Sequence, residues 1–347
     1  FILPLNDISP TRSFMNSKHL KYVWQVLLAL VALFIFSLAI KALYRLTKSV
    51  HMADVLVAIG RIPTSHLIVA LLVVAFGYIL LTLYDVIAIR QIRKSKHIPL
   101  SQAKVRYPKI ALTAYIAYAI SHTVGANVVT ASGVRYRFYH ASGLTTAEIA
   151  NVVWLVSMAF TFGISTLVGL SLVISPEVTL QLLGNLDRSL GFFDKAIYTQ
   201  LFGILMLATI VGLIIWSGKL GKHVMIKGWR FDVPPAGVLL QQIAISILDL
   251  STVALVLWLL MPSDANIGYL ATFSAFIQSM CVGILSHVPG GLGVFEVTML
   301  AAFPQVDKAQ MLGILLVFRV MYYILPFLLA LILFASYESY HYFKRQP

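Results

Sequence analysis

Six ionisable side chains interrupt the long apolar stretches of this sequence, and they are the residues best placed to do chemistry. They are Asp85, Arg135, Arg137, Asp249, Glu296 and Arg319. A charge at the centre of a membrane span costs about 2.5–3.5 kcal/mol on insertion scales, so most of them should face an interior path or one another. Each therefore has two interpretations, a place on that path or half of a structural ion pair. Asp85 lies near the end of its segment, where we expect water to reach it.

Two of these residues, Arg135 and Arg137, are two positions apart on a short segment and so point to different faces of a helix. We favour Arg135 for an interior site, with Arg137 extending towards lipid headgroups. The guanidinium fork suits phosphate oxygens, and a helix that begins at a glycine turn offers free backbone N–H groups to an anion. Together these features predict a site for a lipid phosphate.

Two histidines, His122 and His287, lie at the ends of apolar segments and could relay protons or bind a metal. The alternative interpretation is an interior histidine that is satisfied by a hydrogen bond. No His-x-x-x-His pair or Cys/His cluster accompanies them, and Cys281 is the single cysteine. The glycines near residue 290 lack the lysine and the strand–helix setting of a phosphate-binding loop. We expect no metal, no cofactor and no catalytic residue.

The composition is that of a membrane protein. The 347 residues are 59% hydrophobic and 11% charged, and the mean hydropathy is +0.88. The net charge of +13 lies mostly in short loops, where Lys and Arg fix topology and contact anionic headgroups. Nucleic-acid binding is the weaker interpretation of this charge.

Eight apolar segments divide the chain. They lie at about 22–44, 66–90, 110–128, 147–175, 199–217, 235–261, 267–288 and 309–335. Eight plain transmembrane helices are one interpretation, but they would put the acidic loop 176–198 inside and the basic loop 218–234 outside. The conflict disappears if 110–145 and 267–308 are re-entrant helical hairpins. The second arm of the first, about 132–142, is too short for a hydrocarbon core of about 30 Å at about 1.5 Å per residue.

The hairpin turns are predicted from proline and glycine. The residues are Gly125, Gly133, Pro289, Gly290, Gly291 and Gly293. Proline disfavours helix in the residue before it and lacks a donor, and glycine permits positive φ and close backbone approach. Such breaks at membrane depth are typical of backbone that lines a cavity.

The two halves of the chain match in order. Asp249 follows Asp85 by 164 residues, and His287 follows His122 by 165. Each half has three full spans and one hairpin, an odd number of crossings, so the second half is inverted. We predict an all-α polytopic membrane protein with a single domain, 1–347, with repeat 1 at about 22–175 and repeat 2 at about 199–335. Both termini are expected to be cytoplasmic.

Three strings carry a family resemblance: GVRYRFY at 133–139, GLT at 143–145 and HVPGGLGVFE at 287–296. The chain resembles the flippase domain of bacterial lysyl-phosphatidylglycerol synthase/flippase proteins (multiple peptide resistance factor) and its stand-alone relatives. The resemblance implies transfer of aminoacylated phosphatidylglycerol from the inner to the outer leaflet of the cytoplasmic membrane, which confers resistance to cationic antimicrobial peptides. It also implies a homodimer and, in the full-length protein, a synthase domain.

The residue chemistry agrees with such a lipid, which has one phosphate and two amines. Arginines suit the phosphate and carboxylates suit the amines. No segment is long enough for the soluble transferase domain, so we expect no enzyme activity. The alternatives are a membrane enzyme acting on lipid headgroups, a small-solute or ion transporter, and a scaffold that only anchors a synthase.

Overall fold

The fold is all-α apart from one small β-hairpin, in a computed structural model that describes residues 44, 51–94, 101–124, 127–184, 195–219, 223–226 and 228–345. The first half contains α1 (Met52–Gly60), α2 (Thr64–Lys94), α3 (Tyr107–Val124), α4 (Asn127–His140), α5 (Thr146–Ile174) and α6 (Pro176–Gly184). The second half contains α7 (Ala196–Lys219), β1 (His223–Ile226), β2 (Trp229–Asp232), α8 (Ala236–Leu260), α9 (Tyr269–Leu285), α10 (Val294–Ala302), α11 (Lys308–Arg319) and α12 (Leu325–Arg345).

Five helices in the described part of the chain are long and apolar enough to cross a membrane: α2, α5, α7, α8 and the continuous run from α11 into α12. They coincide with five of the six predicted full spans. The sixth, 22–44, lies outside the described residues except for Tyr44, which is helical. The predicted all-α polytopic membrane fold is confirmed, while the inverted repeat stays a prediction.

Two pairs of shorter helices lie between these spans. In the first pair α3 has 18 residues and α4 has 14, and the two pack against each other. In the second pair α9 has 17 residues and α10 has 9, with a 3-10 turn at Pro289–Gly291 between them. At about 1.5 Å per residue, α4 is about 21 Å long and α10 about 14 Å, against a core of about 30 Å. Helices of this length favour two hairpins over eight plain spans.

Small residues bring the long helices together. A Cβ atom added to Gly163 of α5 would lie 2.1 Å from the Ser246 hydroxyl oxygen of α8. A Cβ on Gly77 of α2 would lie 2.8 Å from the Thr252 hydroxyl oxygen, also of α8. Lipid is as apolar as a leucine side chain, so membrane helices associate through such close packing rather than through the hydrophobic effect. Helix α8 is therefore held against α2 and α5.

A π turn at Val320–Ile324 joins α11 to α12. Pro326 lacks an N–H group, so the Tyr322 carbonyl four residues earlier loses its usual helical donor. The Tyr78 hydroxyl of α2 donates to this carbonyl over 3.2 Å. The Thr123 hydroxyl at the end of α3 donates to the neighbouring Tyr323 carbonyl over 3.3 Å. Side chains from two other helices thus satisfy the irregular backbone of the last span.

Two helices and one β-hairpin occur in segments that were predicted as loops. Helix α1 packs on α11, and α6 begins with Pro176, because proline is favoured at the first helical position. Strands β1 and β2 pair antiparallel, with His223 opposite Asp232. The ring of Phe231 lies 5.2 Å from that of Trp154, so the β-hairpin rests on α5.

Candidate functional site

Asp85 and Arg135 form a buried ion pair between α2 and the short arm α4. Arg135 Nε donates to Asp85 Oδ1 over 2.9 Å and Nη2 donates to Oδ2 over 2.8 Å. The Tyr139 hydroxyl donates to Oδ1 over 2.8 Å. The two side chains are 0% and 3% exposed, so the prediction that water reaches Asp85 is wrong. The reason is that α4 covers Asp85 and supplies three donors to its carboxylate.

This pair occupies the guanidinium fork that was predicted to bind a lipid phosphate. Both fork positions are taken by Asp85, and the guanidinium carbon lies 4.9 Å from the centroid of the Tyr118 ring. Arg137 lies on the other face of α4, where it is 51% exposed and forms a bidentate pair with Glu338 of α12. The two arginines thus face apart, as their spacing predicts, and the role of Arg135 towards a lipid stays a prediction.

Glu296 and Arg319 form a second ion pair, between the short arm α10 and α11. Arg319 Nε donates to Glu296 Oε1, and the two side chains are 12% and 16% exposed in the order named. Glu296 Oε2 also accepts the N–H of Gly293 over 2.7 Å. One carboxylate therefore caps the first turn of α10 and ties it to the next span.

Asp249 of α8 differs from the other intramembrane carboxylates. It is 5% exposed, and its Oδ1 atom has no hydrogen-bond partner in the described part of the chain. Four tyrosines lie within electrostatic range of it: Tyr78, Tyr84, Tyr118 and Tyr322. The Tyr84 hydroxyl donates instead to Ser246 Oγ over 2.8 Å, and that of Tyr78 to the Tyr322 carbonyl.

The two predicted histidines have different surroundings. His122 stacks on Tyr322, with ring centroids 6.0 Å apart, and lies 5.7 Å from Tyr118. Its Nδ1 is buried without a hydrogen-bond partner among the described residues. This does not agree with the interpretation of His122 as an interior histidine that is satisfied by a hydrogen bond. His287 is exposed, has φ of 55° and places Nδ1 2.9 Å from the Leu285 carbonyl. We call Asp249, His122 and the four tyrosines the central cluster.

The turn of the second hairpin has the backbone that its glycines predict. Gly290 and Gly291 both have φ of 62°, and Gly293 has 79°. Helix α9 ends at Leu285, ahead of Pro289. A Cβ on Gly290 would lie 3.8 Å from the Thr123 carbonyl oxygen, so this turn touches the end of α3. The turn of the second helix pair therefore meets the end of α3 at the residue after His122.

The turn prediction for the first helix pair holds less well. Gly125 lies outside the described residues. Gly133 was predicted to lie in the turn, and this is wrong, because α4 begins at Asn127 and continues through Gly133 to His140. A helix satisfies the backbone of glycine like that of any other residue, so one glycine does not end a helix in the membrane.

A polar network closes one end of the bundle. Glu148, in the first turn of α5, accepts the N–H groups of Thr145 over 2.7 Å and of Ser101 over 3.2 Å. Arg93, near the end of α2, lies 3.4 Å from the same carboxylate and donates to the carbonyls of Ser101 and Ala103. The capping-box spacing of Thr145 and Glu148 is the sequence signal that would have indicated this cap.

An open cavity of about 410 Å³ lies between α4, α5 and β2. We call it the side groove, and its walls are mostly apolar and aromatic. They include Ser132, Tyr136, Ile149, Val153, Trp154 and Phe231. The Tyr136 ring stacks on His140 at 5.2 Å, which extends the aromatic wall to the end of α4.

Sequence reasoning missed the tyrosines of the central cluster. Tyr118 and His122 are four residues apart on α3, which places them on one helix face, and this spacing was the available signal. Tyr322 reaches the same place from a distant span, which no local pattern indicates.

Long apolar helices, two short helix pairs and buried charges between them define a polytopic α-helical membrane protein. No family model matches the chain. The "Uncharacterized protein slr0712" of Synechocystis sp. is 31% identical over 274 residues, which cover 79% of this chain and 80% of that protein. The chain therefore belongs to the family of slr0712.

Two further relatives extend the comparison. "Inner membrane protein YbhN" of Escherichia coli is 28% identical over 252 residues, covering 68% of this chain and 71% of that protein. "Phosphatidylglycerol lysyltransferase" of Staphylococcus aureus is 25% identical over 327 residues, covering 93% of this chain but 35% of that protein. The resemblance to the flippase domain of lysyl-phosphatidylglycerol synthase/flippase proteins and their relatives is confirmed.

Proposed function

We propose that this protein is a lipid flippase that moves aminoacylated phosphatidylglycerol from the inner to the outer leaflet of the bacterial cytoplasmic membrane. The observation that carries the proposal is the side groove, an apolar and aromatic cavity beside a short helix arm that bears charged residues. An acyl chain suits such walls, whereas a small polar solute does not. The name of the Staphylococcus aureus relative supports a lysyl lipid as the substrate.

Basic residues gather at the end of the bundle where the side groove lies. The Ser101 hydrogen bonds to Glu148 bring the 101–106 segment to the start of α5, and Asn151 of α5 donates to the Arg230 carbonyl. Lys104, Arg106 and Arg230 are exposed there. Each basic residue near an anionic leaflet contributes about 1 kcal/mol of attraction. We assign this end, together with both termini, to the cytoplasmic side.

The two ion pairs offer a route for the headgroup that never leaves a buried charge alone. A lysyl lipid brings a phosphate, which replaces a carboxylate at arginine, and amines, which replace arginine at a carboxylate. Removing only one partner of a buried pair costs about 3–5 kcal/mol, and exchange with the headgroup avoids that cost. Glu296–Arg319 is the more exposed pair and exchanges more readily. Asp85–Arg135 exchanges as α4 moves.

Alternating access follows if the two helix pairs belong to inverted repeats at about 22–175 and 199–335. The contact between Gly290 and the end of α3 supports this, because the two hairpins would then meet between the leaflets. On the family resemblance alone, we also propose that the protein forms a homodimer and acts together with a synthase partner.

The experiment follows the lysyl amines in vesicles that contain the purified protein. Outer-leaflet amines are blocked with an impermeant amine-reactive reagent, and a second dose then measures newly arriving amines. We expect rapid arrival with the wild-type chain and slow arrival with Ala150→Trp, which fills the side groove. Leu205→Trp is the matched control, because Leu205 is exposed on α7.

The outcomes separate the candidate functions. Arrival at the protein-free rate would overturn the flippase proposal. Altered headgroups in the same vesicles would indicate an enzyme. Ion leakage without lipid movement would indicate an ion transporter. Equal rates for Ala150→Trp and the wild type would remove the side groove from the path.

A further inference from the structure

Asp249 is the unpaired member of the three carboxylates that were predicted as site residues, Asp85, Asp249 and Glu296. Asp85 is bound by Arg135 and Glu296 by Arg319. The Oδ1 atom of Asp249 is buried without a hydrogen-bond partner in the described ranges, and no described arginine or lysine lies within ion-pair distance. The expected role of Asp249 towards a lipid amine does not explain a carboxyl that is buried alone.

The groups nearest to Asp249 come from three other elements. Tyr78 and Tyr84 come from α2, Tyr118 from α3 and Tyr322 from the π turn. The remaining titratable or charged residues with described side chains on the helices against α8 are His66, Asp85, Arg90, Arg93 and Lys94 of α2, Glu148 of α5, Tyr198 of α7, Tyr269 and Cys281 of α9, and Lys308 and Arg319 of α11. Of these, Glu148 is held by its cap, Tyr269 by the Ser251 carbonyl and Arg319 by Glu296. None is a counter-ion for Asp249.

An ionised carboxylate without a partner is among the least favourable groups to bury, with a penalty of several kcal/mol even after relaxation. Addition of one proton removes the charge and converts –COO⁻ to –COOH. The neutral acid also needs fewer donated hydrogen bonds than the carboxylate, and two of the surrounding tyrosine hydroxyls donate to other groups. The burial of Asp249 in this conformation therefore matches its protonated form.

We propose that Asp249 is the proton-carrying residue that couples lipid movement to a proton gradient, an inference that rests on the proposed flippase function. One proton from water on the outer side converts Asp249 to its acid, and the reverse step releases that proton to the cytoplasmic side. The proton moves inward while one lipid moves outward. The structure represents the closed, protonated state of this cycle.

The position of Asp249 suits a change of access. Tyr118 and Tyr322 lie beside both Asp249 and His122, and His122 Nδ1 is likewise buried without a partner among the described residues. The residue after His122, Thr123, contacts the turn of the second hairpin at Gly290. Separation of this turn from the end of α3 would admit water beside His122 first. The contacts thus lead from the turn through His122 and the two tyrosines to the carboxyl, as a proton relay requires.

The first test detects the proton without any lipid substrate. Infrared spectra of the wild-type protein in lipid nanodiscs at neutral pH should contain a carboxylic-acid C=O band that is absent from Asp249→Asn. Asp264→Asn is the matched control, because Asp264 is exposed in a short 3-10 turn between α8 and α9 and its removal should leave the band unchanged. Identical wild-type and Asp249→Asn spectra in this region would show that Asp249 is ionised and would overturn the proposal.

The second test measures coupling in the amine-labelling vesicles. With the exterior one pH unit more acidic, one-to-one exchange sustains an outer-to-inner lipid ratio of about tenfold. We expect this ratio with the wild type and with Asp249→Glu, which keeps a carboxyl group. Asp249→Asn imitates the neutral acid, so it should fold and its ratio should stay at about one, since one pH unit drives tenfold only through a titrating group.

The two proposals fail in different ways. If the wild type moves lipid equally with and without the gradient, proton coupling is refuted and the flippase function stands. If no lipid moves although the acid band is present, the flippase function is refuted and the protonated site stands. A tenfold ratio that persists in Asp249→Asn would assign the coupling to another residue.

Discussion

The Asp85–Arg135 pair gives the sharpest prediction about stability. Asp85→Asn keeps the shape of the side chain but leaves the Arg135 charge buried at 3% exposure with a neutral partner. Loss of one partner from a buried pair destabilises a protein by about 3–5 kcal/mol. Arg135→Met should have an effect of the same size, because it leaves the Asp85 carboxylate with only the Tyr139 hydroxyl. The double variant Asp85→Leu/Arg135→Met removes both charges and should recover most of the loss.

The single cysteine provides the assay. Cys281 is partly buried in α9, so a thiol-reactive fluorophore reports unfolding at one known site. A loss of 3 kcal/mol corresponds to a fall in Tm of roughly 4 °C for a chain of 347 residues. A single variant that melts within about 1 °C of the wild type would refute the assignment of a buried ion pair, since the expected cost of losing one partner is about 3 kcal/mol or more.

The same variants separate a structural pair from a transport residue. If Arg135 serves only Asp85, the double variant is stable and moves lipid at the wild-type rate. If Arg135 also receives the lipid phosphate, the double variant is stable and lipid movement is lost. Arg137→Met is the control, because Arg137 is on the exposed face of the same helix.

Three further predictions concern packing, the π turn and the second ion pair. Gly163→Ala should destabilise the bundle by about 1–3 kcal/mol through its clash with Ser246. Ser246→Gly in the same chain should restore part of the melting temperature, because it relieves the clash but removes the acceptor of the Tyr84 hydroxyl. Tyr78→Phe should cost about 1–3 kcal/mol, because the Tyr322 carbonyl loses its donor. Glu296→Ala should lose about 1 kcal/mol or more of stability through loss of the α10 cap alone. The melting temperature of Glu296→Gln should lie between those of the wild type and Glu296→Ala. The Cys281 assay measures all three, and unchanged melting would contradict each.

Local patterns were sufficient for the long elements. Sustained apolar composition predicts α2, α5, α7 and α8, because crossing the membrane requires a long run that is visible in the sequence. Loop charge and short length predicted the helix pairs. The positive φ values of Gly290, Gly291 and Gly293 were predictable, because these glycines follow directly on a proline that ends the preceding helix, and glycine permits positive φ.

The pairing of side chains was not predictable in the same way. Whether Asp85 meets water or Arg135 depends on the rotation of α4 about its axis, and that rotation is set by packing. The Gly133 error has a related cause, since a lone glycine permits a turn but does not require one. The central cluster joins three distant elements, and an apolar sequence gives little indication of which tyrosines share an interior.

The Thr123 hydroxyl has one hydrogen and two acceptors within reach, the Ala119 carbonyl at 3.1 Å in its own helix and the Tyr323 carbonyl at 3.3 Å in the last span. When the joint between these helices opens, the hydroxyl keeps its bond to Ala119, and only the Tyr323 carbonyl must find another donor, which entering water can supply. The donor side of this contact therefore adds nothing to the cost of separating α3 from the last span.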